Sequence, residues 1–302
     1  MLASSRPKRR LVGFLLSLAA FFVGTAFLTA AVLTAARPLY YLHGWAWITA
    51  VVVFLVNAAM QLPLALTDRT LGDDLRARQS QPSPVGSTVA ALAAAIGALL
   101  LAGGAAVLAV RAGDVLRTAT GTDVVSTGRG MMVTAICTVV LLLAGAAGLL
   151  LSALAPGFCP AAATILHLPL PLGCVLFALY LYFDKSTPRN GTLKLCVSLA
   201  LLLLALLFLL RIRRLIGTDK PRLALWLARA TLPYTGALSI SLVCLRIFRG
   251  ASFVSLTIPL FIGFLSFYFY SVFSAPGYRV AAAHPSFVDA TEAGYDPGDG
   301  EE

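Results

Sequence analysis

Eight apolar runs follow one another along the chain, at roughly 11–36, 45–66, 87–110, 131–154, 161–183, 193–212, 223–245 and 251–273. A helix needs about 20 such residues to cross the roughly 30 Å hydrocarbon core of a bilayer. No water reaches backbone amides there, so a spanning segment must be a helix or a strand of a closed barrel. Barrel strands alternate apolar and polar residues, whereas these runs are apolar throughout. The pattern predicts an all-α polytopic transmembrane helical bundle of about eight spans.

Composition agrees. Of 302 residues, 59% are hydrophobic and 12% charged, about half the charged share of a soluble domain. That excludes a soluble globule, a disordered chain and a nucleic-acid-binding domain, in spite of a net charge of +10. The basic residues flank the runs, where they anchor to headgroups and set orientation. None of the 13 acids falls inside a run, and six of them (Asp289, Glu292, Asp296, Asp299, Glu301 and Glu302) lie near the C-terminus. The chain thus divides into a basic N-terminus (1–10), a helical membrane domain (11–274) and an acidic tail (275–302) expected to be disordered. The first run follows Arg6-Pro7-Lys8-Arg9-Arg10 and is too long for a signal-peptide core, so it reads as a signal anchor.

With eight spans both ends share one face. That face carries 13 Lys and Arg against 9 on the other, which predicts cytoplasmic termini. Asn190-Gly191-Thr192, a glycosylation sequon, then falls outside.

Several runs have a character of their own. Ala90, Ala94, Ala98, Ala102 and Ala106 predict a smooth stripe for close helix approach, and Ala144, Gly148 and Ser152 repeat the idea in the fourth run. Pro169 and Pro171 predict a kinked or irregular start to the fifth. The leucine-rich sixth run reads as lipid-facing. Phe264, Phe267, Tyr268, Phe269, Tyr270 and Phe273 read as an interfacial aromatic belt. Residues 11–66, 130–183 and 222–273 each hold two runs and a Pro-Leu step (Pro63-Leu64, Pro169-Leu170, Pro259-Leu260). This suggests repeated helix pairs, of the kind that inverted repeats build in transporters.

Few polar groups enter the runs. Arg229 is the one charge well inside a span; it either snorkels to the headgroups or forms an anion or lipid-phosphate site, with Pro233 and Tyr234 opening the backbone one turn later. Asn57 and Gln61, spaced i and i+4, share a helix face and predict an interhelical hydrogen bond or a polar lining. His43 and His167 read as interfacial, and Asp73-Asp74 as a solvated loop. Cys137, Cys174, Cys196 and Cys244 read as small hydrophobes, and Cys159 lies in a loop. No HExxH, GxSxG, P-loop or Cys/His metal spacing occurs, and no run carries the carboxylate usual in ion-coupled carriers. Neither a catalytic nor a metal site nor a cofactor is expected.

Trp45-Ala46-Trp47-Ile48 after the first joint, and Phe253-Val254-Ser255-Leu256-Thr257-Ile258-Pro259-Leu260-Phe261 after the third, resemble the eukaryotic transmembrane Fragile-X-F-associated family. Comparable positions there read as a Trp-rich stretch leading into Pro-Leu-Trp; here Phe261 stands in place of the last Trp, and the middle pair lacks the Trp. The resemblance implies a multi-span eukaryotic endomembrane protein.

Two functional readings follow. One is a non-enzymatic multi-pass protein of a eukaryotic or viral membrane, acting through helix packing and through contact with lipids, a membrane-protein partner or a second copy. The other is a permease or channel for a neutral or anionic solute, with Arg229, Asn57, Gln61 and Tyr234 as contacts. The span order itself is testable. In a Cys-less variant, Asp73→Cys and Thr187→Cys should label from opposite faces of the membrane; labelling from one face overturns it.

Overall fold

Because the spans offer almost nothing but apolar side chains, main-chain hydrogen bonding and close packing must organise the protein. The computed structural model describes residues 6–35, 42–66, 85–118, 122–154, 165–183, 191–215, 221–250 and 252–274. These are helical, with no strand among them. The helices are α1 (Arg6–Thr34), α2 (Gly44–Leu66), α3 (Val85–Thr118), α4 (Thr122–Leu154), α5 (Pro169–Phe183), α6 (Thr192–Leu215), α7 (Pro221–Arg249) and α8 (Phe253–Phe269), and a π-helical turn, Tyr270–Ser274, follows. Eight spans are long and apolar enough to cross a membrane, and all eight overlap the predicted runs. This is a multi-pass membrane protein. The tail 275–302, Cys159, Asn190 and Asp73-Asp74 lie outside the described residues.

Helix ends follow local chemistry. Gly250 takes a φ of 91°, the left-handed conformation that stops a helix, and so ends α7. Two residues later Ser252 caps α8: its hydroxyl accepts from Ser255 N, and the Ser255 hydroxyl accepts from Ser252 N. At the same end of α7, Arg249 donates to the carbonyls of Leu33 and Ala35, covering groups that the C-terminal end of α1 leaves open. The prolines of the fifth run act as predicted: a helical turn at 165–167 breaks at Leu168, and α5 begins afresh at Pro169.

Most neighbours in the chain, though not α2 and α3, pack as antiparallel hairpins. Each proposed repeat pair does so (α1–α2, α4–α5, α7–α8), but α3–α4, α5–α6 and α6–α7 do as well. The hairpin is therefore the general joint of this bundle and does not set the pairs apart. Helices α3, α4, α5, α6 and α8 close a ring, each touching the next. Outside it, α7 packs on α6 and α8, and α1 and α2 pack on α7. The parallel pair α1–α7 is in constant register: Ser17 meets Arg229 and Thr29 meets Ser241, each pair 212 positions apart.

Small residues set the closest approaches. A Cβ on Gly97 would press on Phe261 and Phe264, and one on Gly104 would lie 2.5 Å from Thr257 Oγ1, so α3 and α8 meet almost backbone to backbone. Gly148 lies against the Leu166 carbonyl in the same way. The predicted alanine stripe holds through Ala102 and then fails, for Ala106 is exposed and Leu101 and Ala105 are buried instead. Steps of four residues advance 40° beyond a full turn, so a strict i+4 series walks off its face.

Three further expectations are corrected. The leucines of α6 are not merely lipid-facing: Leu201, Leu204 and Leu207 are buried in the ring, with Leu195, Leu199 and Leu206 outside. Tyr268 and Phe269 form no belt but are buried on Phe208. Phe267 and Tyr270 of the same run are exposed, and so are Trp45, Phe248 and Phe253 at the opposite end of the bundle. His167 is buried, not interfacial.

Gly104→Leu should destabilise the detergent-solubilised protein by about 1–3 kcal/mol through overpacking, while Ala106→Leu changes little. Thermal unfolding followed by a thiol-reactive dye or by circular dichroism checks the contrast.

Candidate functional site

Pro233 is where the site begins. A proline cannot donate to the carbonyl four residues back, so α7 leaves the Arg229 carbonyl without its helical partner. Two neighbours supply the bond. Asn57 Nδ2 of α2 donates to Arg229 O at 2.9 Å, and Ser17 Oγ of α1 at 3.2 Å. Gln61, one turn along α2, places its Nε2 2.7 Å from Gly13 O, 3.1 Å from Ser17 Oγ and 3.3 Å from Asn57 Oδ1. Nearby, Trp226 Nε1 donates to Ala58 O at 3.0 Å. The three helices are thus joined by polar bonds at one depth.

The Arg229 side chain is only 8% exposed. Its guanidinium runs beside Gly13, where a Cβ would lie 2.5 Å from Nη1. Gly13 sits one turn nearer the N-terminal end than Ser17, so the arginine does turn toward the headgroups, but through a passage lined by protein. Helices α1, α2, α6, α7 and α8 contain no aspartate or glutamate. Gln61 Oε1 is buried without a hydrogen-bond partner and lies 3.1 Å from the same hypothetical Cβ.

Beside this cluster lies a groove of about 330 Å³ between α1 and α8, with α7 as its floor. Phe14, Arg229 and Tyr270 stand at its N-terminal end, the two rings 6.2 Å apart. Phe21, Gly236, Ile240 and Gly263 form its inner end. Leu18, Ile240 and Phe267 line it and are exposed, so it opens toward the bilayer. Its serines are already engaged: Ser17 with Arg229 O, Ser239 with Pro259 O at 2.7 Å, and Ser266 with Thr235 and Ile262. What remains is an apolar trough with one charged end.

Of the four residues singled out in the sequence, Arg229, Asn57 and Gln61 come together. Tyr234 does not join them; its hydroxyl donates to Cys196 O at 2.8 Å and its ring meets Phe54 edge-on, tying α7 to α6 and α2. Gly13, Ser17 and Tyr270 escaped the sequence reading, since a lone glycine or serine in an apolar run gives no local signal. Among the described residues no cluster of three metal-ligating side chains occurs, and Cys137, Cys174, Cys196 and Cys244 are free thiols.

A second polar cluster occupies the N-terminal face of the ring. The Arg211 guanidinium lies 4.8 Å from the centre of the Tyr268 ring. Arg211 Nε, His167 Nδ1 and the Tyr268 hydroxyl are buried without hydrogen-bond partners.

Comparison with protein-family models, with curated proteins and with solved structures finds no match.

Two outcomes check this geometry. Asn57→Leu should cost about 0.6–1.7 kcal/mol, the range for interhelical bonds in membranes, and less in a Pro233→Ala background, where α7 satisfies its own carbonyl; additive costs in thermal unfolding overturn the repair account. Tyr268→Phe should leave stability unchanged or raise it, because it removes a buried hydroxyl that has no partner.

Proposed function

We propose that this multi-pass membrane protein binds lipid, taking an amphiphile from the bilayer into the groove between α1, α7 and α8. One observation carries the reading: the groove is open on the lipid side, apolar along its length and charged at one end only. A path for a water-soluble solute would need available polar groups along its walls, and here the serines are turned onto the protein's own carbonyls and hydroxyls. Asn57 and Gln61 serve likewise as bonds between helices. This supports the lipid-contact reading over the permease.

On this reading the working partner is membrane lipid, and no catalytic step or cofactor is invoked. The N-terminal face, where Arg229 lies, is the cytoplasmic one; the Lys and Arg bias of the loops supports that orientation. The lipid would enter from the cytoplasmic leaflet, past Leu18 and Phe267.

Ile240 faces the groove and is exposed, so a larger side chain there fills the trough without disturbing the packed core. Native mass spectrometry after thorough washing in neutral detergent should find lipid retained by the wild-type protein and lost from Ile240→Trp. Equal retention by both overturns the proposal.

A further inference from the structure

Apart from the groove, we infer that the N-terminal face of the ring holds a phosphate group, bound by Arg211 and the Tyr268 hydroxyl with His167 beside them. Three polar atoms there have nothing to bond to. Arg211 Nε, His167 Nδ1 and the Tyr268 hydroxyl are buried without hydrogen-bond partners, and His167 and Tyr268 are only 1% and 2% exposed. Buried donors left unmet are costly. Three of them at one end of one ring point to a ligand rich in acceptors.

The fold gathers them from three helices. His167 lies in the turn before α5, and Arg211 near the end of α6, which packs antiparallel to α5. Tyr268 comes from the end of α8, and the Arg211 guanidinium lies 4.8 Å from its ring centre. Phe208, three residues before Arg211, stacks on Tyr268 with centroids 6.1 Å apart and meets Phe269 edge-on at 4.6 Å. The tyrosine is thereby held in place before any ligand arrives.

Charge and depth choose the ligand. Contact with the tyrosine occupies one face of the guanidinium, whereas its N–H donors point outward in its plane. The acids among the described residues are Asp114 and Asp123, at the opposite end of the bundle where α3 joins α4. None of these carboxylates answers Arg211. The spans of α5, α6 and α8 end on this face at Ile165, Ile212 and Val272. Arg211 is one residue from that limit, His167 two and Tyr268 four, so all three lie within about 6 Å of the edge of the hydrocarbon. Lipid phosphates lie in the layer just beyond it. A phosphate carries oxygens enough for an arginine fork and a hydroxyl at once, and its charge opposes that of the guanidinium.

Thermal unfolding of the full-length protein, washed free of lipid in neutral detergent, tests this. Inorganic phosphate and dihexanoyl phosphatidate should each raise the unfolding temperature saturably; sodium chloride of equal ionic strength and dihexanoylglycerol should not. A half-saturating concentration at least tenfold lower for phosphatidate supports the site with a lipid head as its source, and comparable concentrations support it with free phosphate. Tyr268→Phe keeps the ring and its packing. It should raise the half-saturating concentration about tenfold, as loss of one hydrogen bond to a charged group does, without lowering stability in phosphate-free detergent. Arg211→Gln should raise it further. Ile240→Trp, which fills the groove, should respond as the wild type does; loss of the response there puts the phosphate in the groove and overturns the ring site. Equal shifts with phosphate and chloride overturn the proposal, and water then serves the three atoms. Unchanged phosphate binding by Tyr268→Phe overturns it as well, so the test does not depend on Arg211→Gln folding.

Discussion

In a bilayer each backbone carbonyl must find a donor within the protein, and one carbonyl in α7 cannot find it within its own helix. Pro233 removes the amide that Arg229 O would have used, and Asn57 of α2 and Ser17 of α1 replace it. An unmet polar group in hydrocarbon costs several kcal/mol, which is more than a typical interhelical bond contributes. The proline therefore does more than bend a helix: it makes α1 and α2 necessary neighbours of α7. The position of Arg229 follows, because its backbone is held from two sides and its guanidinium runs beside Gly13. The groove follows in turn, because α1 and α8 share α7 as a floor, with Phe14 and Tyr270 meeting across one end.

The remaining packing rests on size. Lipid tails are as apolar as leucine, so helices gain by fitting closely rather than by hiding from solvent. Where glycine faces a neighbouring helix or turn, as Gly97 and Gly104 do toward α8 and Gly148 toward the turn before α5, the fit is tight. Gly236 and Gly263, which line the groove, are as tight, toward Phe21 and Ser239. Tight contact and groove lining thus come from one residue type, and the difference lies in what the partner helices offer beside it.

That difference explains what could be read from the sequence. Span number and limits were legible because hydrocarbon thickness sets a length that apolar runs must meet. The Asn57–Gln61 face was legible because i and i+4 spacing is local. The burial of Leu201 and Leu204 was not, since a leucine run carries no contrast between lipid and protein. Nor could Tyr268 be told from Tyr270 as core from rim, or Ala106 from Ala105, without the helix phase that packing fixes. The groove is the hardest case: it is made by residues from three helices, and Gly13 and Ser17 matter only because Arg229 and its carbonyl lie opposite.

The two polar clusters share one structural element. Tyr268 and Tyr270 are two residues apart where α8 passes into the π-helical turn Tyr270–Ser274, so their side chains leave on nearly opposite faces. Tyr270 forms a wall of the groove with Phe14, while Tyr268 lies in the ring under Arg211 and against Phe208. A close-packed interior transmits displacement rather than absorbing it, and π-helical turns are places where the backbone ladder is already widened. Tyr268 and Tyr270 thus tie the ring and the groove to one short stretch of backbone. The partnerless atoms of Arg211, His167 and Tyr268 make that cluster, among the described residues, the least satisfied part of the ring.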